Sequence, residues 1–459
     1  MIAQIKNNPL HLFFFPLLFV ANHFFSIATT DAIYSPIQTY GLWTLKVIFS
    51  AIVCVMLPWL LYKVLSFRLD LIKSAICSSI IFIPFFFFQD FLILGNFFLE
   101  NEIRIRWLLL LTLLVSIVLS ILVLRSKRSL LLFNEYLNVL SGVLLIYVFL
   151  TLIIFFDKKT LSRLAYDPPL RPVHCADCPD IYFFLLDAYT SNKSLREYFQ
   201  FNNQKFVKNL QNLGFNVSDQ AYSSYDKTIY SLGATLNMDP IKNLDKYYEK
   251  DVIKIIKDNA IMRSLQQANY EIHNYSLFDI QNIPKYYSNS YEYEMFTNEI
   301  FHNTILRFLV DNTGTYLNFF DVHSDILAKV RDHAQSNHSS PRFFYIHILA
   351  PHSPFVMNAD AEEIGFLKQK NSQKEAYVEQ VNGLNKMISE TIAVILANSK
   401  QSIILIQGDH GSRMVNGADQ EKESHTVFLA YLIPGAKKHA AMDQSNKIFS
   451  LVFERLKDQ

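Results

Sequence analysis

Net charge is almost absent from this chain: 42 Lys and Arg face 41 Asp and Glu, leaving a formal +1. Without a basic field to hold a phosphate backbone, a nucleic acid is excluded as a partner. Cysteine is equally scarce, with four in 459 residues. Cys54 and Cys77 fall in apolar runs and read as small buried side chains. Cys175 and Cys178 form a C-x-x-C just ahead of the first soluble strand, where an oxidising compartment favours a local disulfide. A zinc knuckle would need a second ligand pair and a redox motif a thioredoxin-like context, and neither follows. The lack of internal repeats and low-complexity tracts excludes a repeat architecture.

Apolar residues are abundant, 51% of the whole, and they concentrate in the first third. Five runs, Leu10–Ile27, Leu42–Tyr62, Ala75–Leu99, Trp107–Leu124 and Leu130–Phe156, each approach the roughly 20 residues of helix that a hydrocarbon layer requires. Core helices of soluble proteins seldom run so far without a charged face. Cations mark the orientation. Lys6 precedes the first run, Lys63, Arg68 and Lys73 separate the second from the third, and Arg125, Lys127 and Arg128 separate the fourth from the fifth. Those segments are expected on the cytoplasmic side, so everything after Phe156 is delivered to the outer face. The expected domains are a five-helix transmembrane bundle over residues 1–156, a polar, proline-containing linker over 157–179, and a soluble domain over 180–459.

In the soluble part, three buried strands run straight into polar residues: Ile181–Asp187, Phe343–His352 and Ser402–His410. Helical stretches around Asn202–Leu213, Val252–Ala268 and Glu375–Ala397 alternate with them, and Tyr270–Tyr275 and Thr426–Ile433 add two more strands. This order predicts an α/β domain with a mostly parallel sheet. Ligands of such sheets bind outside the carboxyl ends of the strands, which directs Asp187, His352, Asp409 and His410 to one site. The segment from Lys285 to His338, rich in Tyr, Asn and His, shows no clean periodicity and reads as a substrate-side insertion.

The Gly408-Asp409-His410-Gly411 turn sets a carboxylate beside an imidazole, a donor pair that suits Zn²⁺ or Mn²⁺ better than Ca²⁺. Thr228 fits two roles: an N-cap for the helix that follows, or a nucleophile made competent by a divalent cation. Lys227 and Arg413 are candidate phosphate clamps or solvated charges. His425 is a second substrate-side imidazole or a surface histidine at a strand start, and His347, inside its strand, reads as a hydrogen-bonded core residue.

Taken together, Asp187 ending a strand, Thr228 in D-K-T ahead of S-L, A-P-H-S-P-F at Ala350–Phe355 and G-D-H-G at Gly408–Gly411 resemble the alkaline phosphatase superfamily. The similarity is to its membrane-anchored sulfatase-like branch, which includes lipoteichoic acid synthases and phosphoethanolamine transferases. It implies one divalent metal, Zn or Mn, held by Asp187, Thr228, Asp409 and His410. It further implies a phospho-threonine on Thr228, His352 at the phosphoryl group or leaving oxygen, and His425, Lys227 and Arg413 on the substrate side. A lipid donor and an envelope glycan or lipid acceptor would be the partners, at a bacterial inner membrane with the catalytic domain outside. The same site with water as acceptor makes an ester hydrolase, and a non-catalytic membrane scaffold is the third reading. Envelope transferases usually place Glu where this chain has Asp187. Formylglycine sulfatases need a Cys or Ser in C-x-P-x-R, and no cysteine follows Cys178.

Overall fold

A computed structural model describes residues 8–30, 39–99, 105–160, 170–173, 177–241, 249–287, 304–306, 319–364, 372–435 and 442–457. The chain divides into two compact units, residues 1–162 with 291–315 and residues 163–290 with 316–459.

The first unit is helical, with helices His11–Thr30, Thr39–Ser66, Leu71–Phe86, Phe88–Leu99, Ile105–Arg125 and Leu131–Thr160. The run Ala75–Leu99, expected as one span, instead breaks at Phe87, and the two halves meet at 65°. Carbonyls in a helix's last turn lack intrahelical partners; here the Phe85 carbonyl accepts the N–H of Ile305 at 2.9 Å. Among the described residues, Arg106–Arg125 and Leu131–Thr151 are long and apolar enough to cross a membrane, and the bent pair makes three. Leu114, Ile117, Leu122, Leu132 and Ile146 point outward, a surface suited to hydrocarbon rather than water. Inside, the buried His11 ring bridges Ser79 (2.7 Å) and Asn134 (3.1 Å), binding three helices through polar contacts.

The second unit is built on a six-stranded sheet in the order β2-β8-β6-β1-β5-β4. Strand β1 (Ile181–Leu186) lies between β5 (Arg342–Ile348) and β6 (Ile403–Gly408), parallel to both, and β4 (Glu271–Tyr275) adds in parallel to β5. On the other side β8 (Leu429–Leu432) runs antiparallel to β6, and β2 (Asn216–Val217) antiparallel to β8. The sheet is therefore mixed. The expected single strand Thr426–Ile433 divides at Phe428: its first half, β7 (Thr426–Val427), pairs with β3 (Ala221–Tyr222) in a separate ribbon. Residues 409–425 stay at the carboxyl end of β6, held there by the Ser412 N–H donating to Glu423 and by the contact of His425 Nδ1 with the Ser223 carbonyl. The chain thus re-enters the sheet from the end at which it left, which forces the antiparallel sense.

β1, β5 and β6 are buried at every residue, as strands covered on both faces must be. Tyr182 stacks on Phe344 at 4.6 Å, and Phe449 of the Ile448–Lys457 helix meets Phe183 edge-on at 4.9 Å. Two helical expectations change. Val252–Ala268 is two helices, Glu249–Lys257 and Ala260–Gln267, because Asn259 caps the second by accepting the Met262 N–H at 2.9 Å. The Lys285–His338 segment contains a core helix, Phe319–Gln335, that buries His323, Ile326, Leu327 and Val330; a histidine on the buried stripe disguised the period. Residues 288–303 and 307–318 of that segment lie outside the described residues, as does most of the linker. Cys178 is disulfide-bonded and Cys54 and Cys77 are free; Cys175 lies outside the described residues.

At the opposite end of the sheet from the site, buried Asp180 receives the Arg342 backbone N–H (2.8 Å), Nε (3.1 Å) and Nη2 (2.7 Å). Removing one partner of such a buried pair strands the other's charge. Asp180→Ala is expected to cost about 3–5 kcal/mol in denaturant unfolding of the α/β unit; a loss below about 1 kcal/mol would show the pair to be idle.

Candidate metal centre and active site

Leu186, Ile348 and Gly408 are level with one another in the parallel register, so the residues that follow them emerge together. Asp187 extends the ladder through its N–H to the Ile348 carbonyl (3.0 Å), and its own carbonyl accepts the His352 N–H (3.0 Å). The two glycines of G-D-H-G are required by close approach. A Cβ on Gly408 would lie 2.2 Å from the Tyr189 carbonyl oxygen, and one on Gly411 would lie 1.9 Å from that of Glu423. With no side chain at either position, the turn can press Asp409 and His410 against Asp187.

The cluster is buried and tightly specified. Asp409 Oδ1 accepts the backbone N–H groups of Ala188 (2.9 Å) and His410 (2.8 Å), which leaves Oδ2 free. His410 Nδ1 lies 2.7 Å from the Gly411 carbonyl, which can only accept, so Nδ1 carries the proton and Nε2 presents a lone pair. That lone pair stands 3.4 Å from Asp187 Oδ1, 3.4 Å from Asp409 Oδ2 and 3.3 Å from Thr228 Oγ1. Both carboxylate oxygens are buried, and among the described residues neither has a hydrogen-bond donor. Three electron-rich atoms thus face a fourth, and the Arg413 guanidinium, in contact with His410 Nε2, is the cation that meets them.

Such an arrangement is costly unless a positive charge completes it. A tetrahedron with metal–ligand bonds of roughly 2.0–2.2 Å has edges of roughly 3.3–3.6 Å, and the three separations from His410 Nε2 fall in that range. Asp187, Thr228, Asp409 and His410 therefore fit a divalent cation. The electrostatics agree: burial first, then the charge of Asp409, push the Asp187 carboxyl up to about 7. Asp409 is the member of the pair that stays ionised. Burial opposes its charge, but His410 and the Ala188 N–H hold it below the usual carboxylate range.

Thr228 opens the Thr228–Thr235 helix, whose cap is Lys227 in extended geometry without a side-chain cap bond. Thr228 is thus not the N-cap; it sits one residue inside, at the positive end of the helix dipole, with its hydroxyl at the cluster. Lys227 is exposed, and the structure does not bring it into the cluster. The His352 ring lies edge-on to His410, 6.5 Å between centroids, with its Nδ1 on the Ser353 carbonyl at 2.7 Å. His425 is half-buried and directs Nδ1 to the Ser223 carbonyl at 3.1 Å, on the segment that leads to Thr228.

The expectation for His347 is corrected. It is fully buried, but among the described residues neither ring nitrogen has a hydrogen-bond partner. Its register neighbour Leu185 offers no polar atom, and burial lowers its pKa to about 4, which keeps it neutral.

One residue escaped the sequence reading altogether. Glu423, fully buried, accepts the Ser412 N–H (2.9 Å), the Ser412 hydroxyl (2.8 Å) and the Arg413 N–H (3.1 Å). It thereby fixes the loop on which Arg413 adopts a φ of 59°. The only sequence signal is an acid two residues before His425, which says nothing of a bond back to residue 412.

No curated protein matches the chain. Solved structures similar to it include lipoteichoic acid synthase LtaP from Listeria monocytogenes, 14% identical over 61% of this chain and 72% of that one, with a TM-score of 0.40. They also include the integral membrane protein lipooligosaccharide phosphoethanolamine transferase A (EptA) from Neisseria meningitidis, 12% identical over 97% of this chain and 95% of that one, with a TM-score of 0.44. The Sulfatase family model matches residues 185–448, which is more than half of the chain and spans Asp187 through His425. The chain belongs to the sulfatase family, within the alkaline phosphatase superfamily, and is a sulfatase-like enzyme.

Proposed function

We propose that this enzyme is a metal-dependent phosphotransferase of the bacterial cell envelope. It would be anchored by five spans in the inner membrane, with the α/β unit on the outer face. The observation that carries the reading is the convergence of Thr228 Oγ1 with Asp187, Asp409 and His410 Nε2 in a donor-poor pocket. Two carboxylates, an imidazole and a hydroxyl suit Zn²⁺ or Mn²⁺. Bound there, such a cation would favour the Thr228 alkoxide and neutralise charge on a phosphoryl oxygen.

The chain's own residues then carry two displacements. In the first, Thr228 Oγ attacks the phosphorus of a lipid headgroup of phosphoethanolamine or phosphoglycerol type. A threonine O–P bond forms, the P–O bond to the lipid breaks, and the lipid oxygen leaves with a proton from an imidazole, a role that would fall to His352. In the second, an acceptor hydroxyl of an envelope glycan or lipid attacks the same phosphorus, its proton passes to an imidazole, and Thr228 is regenerated. Arg413, with its backbone fixed by Glu423, would meet the phosphoryl oxygens bidentately; Lys227 would have to swing inward to help. Helices with hydrocarbon-facing surfaces would keep the site near its lipid donor and raise the effective concentration.

Mass spectrometry of products decides the reading. Full-length protein incubated with phosphatidylethanolamine or phosphatidylglycerol and a hydroxyl acceptor should yield diacylglycerol and a phospho-headgroup adduct in equal amounts. Diacylglycerol with only free phospho-headgroup would convert the assignment to a hydrolase. No turnover, together with no bound metal, would leave a scaffold.

A further inference from the structure

The Gln373–Asn398 helix carries two opposed faces. Val381, Leu384, Ile388 and Ile392 are buried, whereas Asn382, Asn385, Lys386 and Ser389 lie on another side at helical spacing. Asparagine is a poor residue for a helix interior, and a face that needed only solvation would be served better by Glu, Lys or Gln. Asn382 and Asn385 instead line a pocket of about 590 Å³, shared with Asn202, Asn203, Asn209 and two phenylalanines, Phe201 and Phe206.

The floor of this pocket is built, not incidental. Asn203 occupies the N-cap of the Gln204–Asn212 helix but makes no side-chain cap bond; Asn202 caps Gln204 in its place at 3.0 Å. The Asn203 amide is diverted to the Tyr189 hydroxyl (3.0 Å) and Asn192 (3.0 Å), and its oxygen accepts from Asn385 (2.9 Å). The Tyr189 hydroxyl in turn donates to Asn385 (2.7 Å). Tyr189 lies two residues past Asp187, and the same helix holds the catalytic loops: Tyr377 donates to the Ala188 carbonyl (2.7 Å) and Gln380 to that of His352 (2.9 Å). The opposite wall, Ala359 and Asp360, belongs to the loop that begins at His352.

The charges at the rim cancel, Lys205 and Lys386 against Asp360 and Glu390, so nothing there selects an anion. Side-chain amides offer a donor and an acceptor at fixed spacing, which matches vicinal hydroxyls. Phenyl rings give an apolar face for ring C–H groups. The volume falls within the roughly 300–1,000 Å³ of small-molecule sites.

We propose that this pocket binds a neutral sugar. The binding does not rest on the phosphotransferase reading.

The test uses full-length protein in nanodiscs, free of maltoside detergent, and saturation-transfer NMR with N,N′-diacetylchitobiose, maltose and lactose. At least one disaccharide should receive saturation on its ring protons. The Asn209→Ala/Asn382→Ala variant, which leaves the buried floor intact, should weaken that binding about tenfold, and Thr228→Ala should leave it unchanged. No saturation transfer to any of the three sugars, or saturation transfer indifferent to the double variant, overturns the assignment. Sugar binding without headgroup transfer would sink the reaction and spare the pocket; headgroup transfer without sugar binding would do the reverse.

Discussion

Replacing Thr228 by alanine is expected to lower turnover by at least about 10³-fold, the scale on which a lost nucleophile is felt, while the protein still folds and keeps Asp187, Asp409 and His410 to hold metal. The expectation follows from position. Thr228 lies at the first turn of its helix, behind a cap supplied by Lys227, so its hydroxyl carries no part of the capping and its removal leaves the helix start intact. What it does touch is His410 Nε2 at 3.3 Å. Thr228→Ser, which keeps the oxygen, should retain a measurable fraction of the rate, and intact-mass analysis of wild-type protein trapped with donor lipid should show one added phospho-headgroup that the alanine variant lacks. Wild-type turnover by Thr228→Ala would remove the hydroxyl from the reaction.

Asp409→Asn is expected to weaken metal binding by more than about 100-fold, since loss of a ligand's supporting partner alone costs about 10–100-fold. The substitution is conservative for the fold. An amide oxygen can still accept the Ala188 and His410 N–H groups, now at 2.9 and 2.8 Å, and only the unpartnered Oδ2 anion is lost. Elemental analysis after dialysis should find a bound divalent metal in wild-type protein and almost none in the variant. The same pair makes the metal's effect depend on pH. In metal-free protein the Asp187 carboxyl is pushed up to about 7 by burial and by Asp409. Between its ordinary value near 4 and about 7, the folded state therefore holds a proton that the unfolded state has released. The contribution of Asp187 to metal-free stability falls as pH rises through that window and levels off above it. A cation that takes the proton's place relieves this cost, so the rise in Tm on adding Zn²⁺ or Mn²⁺ should be larger at pH 8 than at pH 5. An equal rise at both values would mean that the metal binds elsewhere.

Much of this site was legible in one dimension because its parts are local. A buried strand announces itself by a continuous apolar run, and its end by the first polar residue, which is why Asp187 and Asp409-His410 could be placed at strand ends before any coordinate; the strand expected to run to His352 instead stops at Ile348, and His352 lies in the loop beyond it. The N-terminal apolar runs were equally plain, since the length of a hydrophobic stretch is a property of consecutive residues. Glu423 was invisible for the opposite reason: its meaning is a bond to a loop eleven residues earlier, and any buried acid before a strand would look the same. Asn203 and Asn385 are 182 positions apart, and each reads alone as a helix cap or an ordinary surface amide.

By itself, then, the amino-acid order determined the three buried central strands, the apolar character of the N-terminal third, and the acidic and imidazole groups that follow β1 and β6. Those outcomes depend on periodicity and on turn residues a few positions apart. Only the tertiary structure decided that β8 runs antiparallel, that the third apolar run bends at Phe87, that His347 has no hydrogen-bond partner among the described residues, and that Thr228 meets His410 across 182 residues of chain. Those outcomes depend on contacts between residues remote in the chain, where the free energy comes from matching two surfaces at once and neither surface alone carries the match.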